Sequence, residues 1–147
     1  MIGSKSQRRP WQFFDWLALG LSILCFAVIF SLLIYKYRIF GYWDWDLALF
    51  SQGMHVISQG KSYMSMFGCN FLGNHANFIA YLFIPLFKIF SSPIFLLFLK
   101  SVTFAASAFM LYILAKDMLG SAKEAIIILV LYLIYPANIF AQFFEFD

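Results

Sequence analysis

The sequence predicts an all-α polytopic membrane protein, and three observations predict it. The apolar runs Trp16–Tyr35, Ile94–Ala115 and Ala125–Phe144 each hold about 20 residues. At about 1.5 Å of rise per residue, that length crosses a hydrocarbon layer roughly 30 Å thick. The composition is 63% hydrophobic and 22% aromatic with only 12% charged residues, so a soluble core of 147 residues has no means of hiding all three runs. No stretch alternates polar and apolar residues as a barrel strand does, which leaves the helix as the form that satisfies its own backbone in lipid.

The elements follow in order within one membrane domain, residues 1–147. Residues 1–15 form a basic lead with Lys5, Arg8 and Arg9, and Trp11 and Trp16 suit the membrane interface. The lead has the outline of a secretory signal. Cleavage is not expected, because the apolar stretch is too long and no small-x-small site precedes Lys36. The first span, 16–35, therefore stays as an anchor. An outer loop over 36–93 follows, with helices near 47–58 and 78–90; then come a span at 94–115, a cytoplasmic connector at 116–124 and a span at 125–144.

The run Phe78–Phe90 would reach roughly 20 Å as a helix, short of a crossing, so it is expected to lie on the membrane or tuck into the protein. Three spans place Lys5, Arg8, Arg9, Lys116 and Lys123 inside against Lys36, Arg38, Lys61 and Lys88 outside. The positive-inside tendency favours that count over four spans, with a cytoplasmic N-terminus in the cell membrane. The formal charge of +3 comes from scattered Lys and Arg with no basic stripe, which argues against nucleic-acid binding. Cys25 in the first span and Cys69 in the loop suit neither a mutual disulfide nor a metal site.

Chemistry is expected in the loop. Asp44 and Asp46 stand two apart among Tyr42, Trp43 and Trp45, just beyond the first span. A carboxylate where water thins out is poised for general-base work, yet Asp46 is equally placed to cap the helix whose stripe is Leu47, Phe50, Met54 and Ile57, with Gly60 ending it. Trp43 and Trp45 read as interface anchors or as a sugar-stacking platform. Gln52, His55 and Gln59 make a polar edge on that helix, where His55 is either a solvated histidine or a phosphate ligand and proton relay.

Asn70–Asn77 groups three asparagines and His75 around Gly73, which turn chemistry explains apart from the histidine. Pro136 predicts a kink in the third span, with neighbouring groups meeting the freed carbonyl. Asn138, Gln142 and Glu145 share a face beyond it, for a partner helix or a wet cavity. In the second span, Ser101, Ala105, Ala108 and Ala115 form a small-residue ridge suited to close helix packing.

Taken together, the basic start, the first span, Trp45-Asp46-Leu47 with Phe50-Ser51-Gln52, then Asn70-Phe71-Leu72-Gly73-Asn74-His75 and Phe87-Lys88-Ile89-Phe90-Ser91-Ser92-Pro93 leading into a span carry a resemblance. The chain resembles the N-terminal part of an uncharacterised family of predicted prokaryotic membrane proteins, domain of unknown function 2079. That family is similar in layout to the GT-C class of polytopic glycosyltransferases. The resemblance implies a larger GT-C-like fold of which this chain is a piece truncated at its C-terminus and not active alone. It also implies a polyprenyl-phosphate sugar as donor, no further cofactor, an open question of a divalent metal, and Asp46 as base with Asp44 as runner-up. The candidate substrate-binding residues are Gln52, His55, Asn74, His75 and Glu145, with no metal ligand among them. Ser51 and Asn74 stand where the family pattern favours Asp, which counts against metal or phosphate handling at those two positions. The partners expected are the bilayer and separately encoded remaining spans. The alternative is a small non-enzymatic membrane protein serving as an assembly partner. Transport is disfavoured because Lys100 is the one charge well inside a span, where it is expected to snorkel.

Overall fold

A computed structural model describes residues 11–42, 45–74 and 78–143, and it is helical apart from one short hairpin. Helix α1, Phe13–Arg38, holds 26 residues. Its apolar face, with Ile23, Leu24, Val28 and Leu32, is exposed. In water that band would be an aggregation patch; against lipid it is the ordinary surface. Helix α5, Pro93–Leu119, begins with the Ser92 hydroxyl accepting the Ile94 N–H at 3.3 Å and with Pro93 in the first turn. It ends at Gly120, whose φ of 68° is the left-handed conformation that closes a helix without a Cβ penalty.

Helix α6, Ala122–Ile134, starts on Ser121, which accepts the Glu124 N–H at 3.3 Å. It breaks at Tyr135 and continues as α7, Pro136–Phe143, bent by 44°. The expected kink is therefore a full break. Pro136 has no N–H for the Tyr132 carbonyl, and the Asn138 side-chain amide donates to that carbonyl at 3.0 Å instead. Among the described residues two helices, α1 and α5, are long and apolar enough to cross a membrane, and α6 with α7 makes a third if the bent pair is one span.

Helix α5 is central, packing on α1 and α6. Its ridge of Ser101, Ala105, Ala108 and Ala115 is buried as expected, and Ala108 and Ala115 meet Ala18 of α1 and Ala125 of α6 in one cluster. Small side chains let the backbones approach, which supplies the dispersion contact that holds helices together in lipid. At one end of the bundle Lys116 pairs with Asp15 at 2.6 Å; at the other, the Lys36 ammonium donates to the Phe143 carbonyl. So α1 and α5 run antiparallel, and α6–α7 returns alongside α1. The described residues between Ile39 and Ser92 gather at the Lys36 end.

The connector after α5 is shorter than expected. Lys116 lies inside α5, and only Gly120 and Ser121 separate the helices, because pairing with Asp15 lets the helix carry its charges past the apolar run.

In the loop, α2 is Asp46–Ser58. Leu47, Met54 and Ile57 of its stripe are buried, with Phe50 packed against the same cluster, and Gly60 follows at a φ of 75°. The helix start differs from the capping reading: Trp45 is the capping residue and makes no side-chain cap bond, while Asp46 opens the first turn, where its charge favours the helix dipole. A hairpin not anticipated pairs β1, Tyr63–Met64, with β2, Cys69–Asn70, in antiparallel register. The short α3, Phe71–Asn74, follows where a turn was expected, and it is anchored by the buried Phe71 ring.

Helix α4, Ala80–Ile89, spans about 15 Å, too short for the hydrocarbon layer. It packs on α2, burying Ala80 and Phe87, and leaves Leu82, Leu86 and Ile89 exposed. From this arrangement we expect single cysteines at Ser58 and Ser121 to react with a membrane-impermeant thiol reagent from opposite sides of the membrane. Labelling of both from one side would contradict it.

Candidate loop-end cavity

The strongest candidate site lies where the loop closes over the Lys36 end of the bundle. A cavity of about 570 Å³ is lined by Tyr37 and Phe40 at the end of α1, by Tyr42, by Leu47, Ala48, Ser51, Gln52 and His55 of α2, and by Phe87, Ser91 and Pro93. That volume falls in the range of small-molecule sites, as does the pattern of apolar walls with a few polar groups. The chain enters it through Phe40, the one non-glycine residue with positive φ among those described, at 54°. A bulky side chain in that conformation is strained, and backbone bonds from the Phe40 N–H to the Tyr37 carbonyl at 3.2 Å and from the Gly41 N–H to the Lys36 carbonyl at 2.8 Å close the end of α1 there.

The polar groups come from the edge of α2. The Gln52 amide nitrogen donates to the Ser65 hydroxyl at 3.2 Å, and its carbonyl oxygen is buried with no hydrogen-bond partner among the described residues. That oxygen is an acceptor awaiting a donor. His55 is exposed, with its Nε2 2.9 Å from the Gln59 amide nitrogen. For that contact to be a hydrogen bond, Nε2 accepts from the amide and the ring proton sits on Nδ1. Lys36 places its ammonium 4.3 Å from the centre of the Tyr42 ring, fixing the start of the loop against α1.

Of the residues expected to act together, the structure brings Gln52 and His55 to one cavity, with Ser51 beside them on its wall. Asp46 is half-buried in the first turn of α2 and is not part of that wall. At about 100° of rotation per residue, Asp46 and His55 point to opposite sides of the helix. Asp44, His75 and Glu145, and the side chain of Asn74, lie outside the described residues.

The opposite end of the bundle holds a polar cluster that sequence reasoning missed. Asp15 is 6% exposed, and it accepts from the Gln12 N–H at 2.8 Å, the Tyr112 hydroxyl at 2.7 Å and the Lys116 ammonium at 2.6 Å. Tyr112 and Lys116 stand four apart on α5, a spacing that puts both on one helix face and that is readable in the sequence. The cluster clamps α1 to α5, with the Tyr112 hydroxyl and the Lys116 ammonium of α5 both donating to Asp15 of α1.

A model of the family described as "Predicted membrane protein (DUF2079)" matches residues 36–147, the loop and everything after it. No curated protein and no solved structure matches the chain.

Proposed function

The chain belongs to the DUF2079 family of predicted membrane proteins, and from that premise we propose that it forms the N-terminal, loop-bearing portion of a larger membrane glycosyltransferase that draws its sugar from a lipid-phosphate carrier. The observation that carries this reading is the loop-end cavity. It sits at the end of a bundle whose outer faces suit lipid, so a carrier with its tail in the bilayer would present its polar head at that level. Aromatic walls at Tyr37, Phe40 and Tyr42 suit the faces of a sugar, while Ser51, Gln52, His55 and Ser91 offer hydrogen bonds to its hydroxyls.

In the reaction, a carboxylate accepts the proton of the acceptor hydroxyl as its oxygen attacks the anomeric carbon. The bond from that carbon to the phosphate oxygen breaks, and the lipid phosphate leaves with the electron pair. Asp46 is our candidate for the base, reached by an acceptor approaching over the N-terminal end of α2, next to the wall residue Leu47. Asp44 is the second candidate. His55, Gln52, Asn74, His75 and Glu145 are assigned to substrate binding. The N-terminus lies in the cytoplasm and the loop outside the cell membrane, in keeping with the distribution of Lys and Arg.

The test is Asp46→Asn in membranes that carry the chain with the spans completing the enzyme, using a labelled polyprenyl-phosphate sugar. Asn keeps the size and most of the polarity of the site but cannot take the proton. Transfer is expected to fall by about 10²–10⁴-fold, with donor binding retained. Transfer at the wild-type rate would refute the assignment of Asp46.

A further inference from the structure

Helix α4 has three sides. At about 100° of rotation per residue, Ala80, Phe83 and Phe87 share one of them, and that side packs into the protein. Ile79, Leu82, Leu86, Ile89 and Phe90 fall within an arc of roughly 100° on a second side, and all five are exposed. Tyr81, Ile84, Pro85 and Lys88 make the third. A helix too short to cross the bilayer thus tucks one side into the protein and still offers another to lipid.

A groove of about 420 Å³ follows the third side, between α4 and the end of α2, with Ile57, Lys61, Tyr81, Ile84 and Pro85 among its walls. Lys88 stands one turn beyond Ile84 on that same side. Neither lysine ammonium, nor the Tyr81 hydroxyl, has a hydrogen bond or an ion pair among the described residues. Among the described residues between Ile39 and Ser92, Asp46 carries the one carboxylate, and it makes an interaction of its own. Two cations and a hydroxyl donor along one groove call for an anion, and none of the described residues supplies it.

Depth says where that anion comes from. Phe90 stacks on Phe95 in the first turn of α5, with centroids 6.4 Å apart and planes 13° apart, and Phe87 meets the same ring edge-on at 6.0 Å. The 27 residues of α5 measure about 40 Å, the thickness of a bilayer with its headgroups, so that first turn lies in the headgroup layer. The end of α4 lies there too. Its exposed side therefore continues the lipid-facing surface of the bundle, and a lysine beside it lays its stem along apolar wall while its ammonium reaches the phosphate level.

We propose that α4 and this groove bind one anionic phospholipid of the loop-side leaflet. Its phosphate sits between Lys61 and Lys88, with the Tyr81 hydroxyl donating to it. Its acyl chains cross the edge at Pro85 and lie along Leu82, Leu86 and Ile89. The lipid fastens α4, and through it α2, to the membrane at the level of the loop. The site is separate from the loop-end cavity and does not depend on the glycosyl-transfer reading.

The full chain is reconstituted in equal parts of phosphatidylglycerol and phosphatidylcholine and extracted in mild detergent, and the retained lipid is counted by native mass spectrometry. With each lysine near the anionic surface contributing about fivefold, phosphatidylglycerol is expected to be preferred by roughly 25-fold. Lys61→Met and Lys88→Met should each lower that preference about fivefold and together abolish it, while Arg at both positions should keep it. Lys123→Met, an exposed lysine at the opposite end of the bundle, should leave it unchanged. Should the double variant misfold, a thiol-reactive fluorophore on Leu86→Cys, in a chain with Cys25 and Cys69 replaced by alanine, reads the same site. Brominated phosphatidylglycerol should quench it more strongly than brominated phosphatidylcholine at the same mole fraction. Equal retention of the two lipids, an undiminished preference in the double variant, or equal quenching would overturn the proposal. So would displacement of phosphatidylglycerol by inorganic phosphate or by equimolar polyprenyl phosphate, which would give the groove to a free anion or to a sugar carrier and leave the loop-end reading standing.

Discussion

Asp15→Ala is expected to destabilise the protein by about 3–5 kcal/mol, because it removes the anion at the centre of a buried pair and leaves the donors around it unmatched. The carboxylate collects Gln12, Tyr112 and Lys116 at 2.6–2.8 Å, and it is the point at which α1 and α5 are fastened at that end of the bundle. Lys116→Met is milder, about 1–3 kcal/mol, since the carboxylate keeps two hydrogen bonds and Lys116 is a third exposed. Combining the two should cost less than the sum, because the apolar pair no longer strands a charge. Unfolding in detergent, followed by far-UV circular dichroism across the double-mutant cycle, measures this. A coupling energy indistinguishable from zero would show that the pair is an exposed contact of no consequence.

That clamp also marks the limit of what is legible in the sequence. The apolar runs are plain because lipid imposes a length and a composition on any helix that crosses it, and α1, α5 and the broken pair α6–α7 cover them. The helix ends are not plain: Asp15 and Lys116 each read as the start of water, and only their pairing, about a hundred residues apart in sequence, lets both helices run on. The break at Pro136 is predictable from proline's missing N–H, and so is the need for a donor to the freed carbonyl. That Asn138 supplies it depends on the backbone path after the break.

In the loop, the α2 stripe has the helical period and is readable. The hairpin of β1 and β2 is too short to leave a period-two signal, and its register follows from the turn at Gly68, with φ of 64°. Gln52 and His55 share a wall because they sit three apart on one helix. The same arithmetic puts Asp46, nine residues before His55, on the far side of that helix, so the spacing alone separates the candidate base from the candidate relay.

Gly53→Ala is expected to destabilise by about 2–3 kcal/mol, against the sign that local preference predicts. In a helix interior, alanine is ordinarily favoured over glycine by about 1 kcal/mol. Here the methyl group would overlap the ring of Phe71. The ring has no room to retreat, being 2% exposed and set edge-on to Phe50 with centroids 6.2 Å apart. Either α2 moves away from α3 or the ring turns out of the core, and both lose packing between the loop helices. Since Gln52 and His55 flank or follow Gly53 on the same helix, a shift of α2 also moves the wall of the loop-end cavity. Trimming the obstruction should reverse the effect: Phe71→Leu, harmful alone, should cost less in the Gly53→Ala background than in the wild type. Thermal unfolding of the four proteins in one detergent decides the matter. A melting temperature for Gly53→Ala at or above that of the wild type would mean that the helix preference prevails and that α2 does not rest on Phe71.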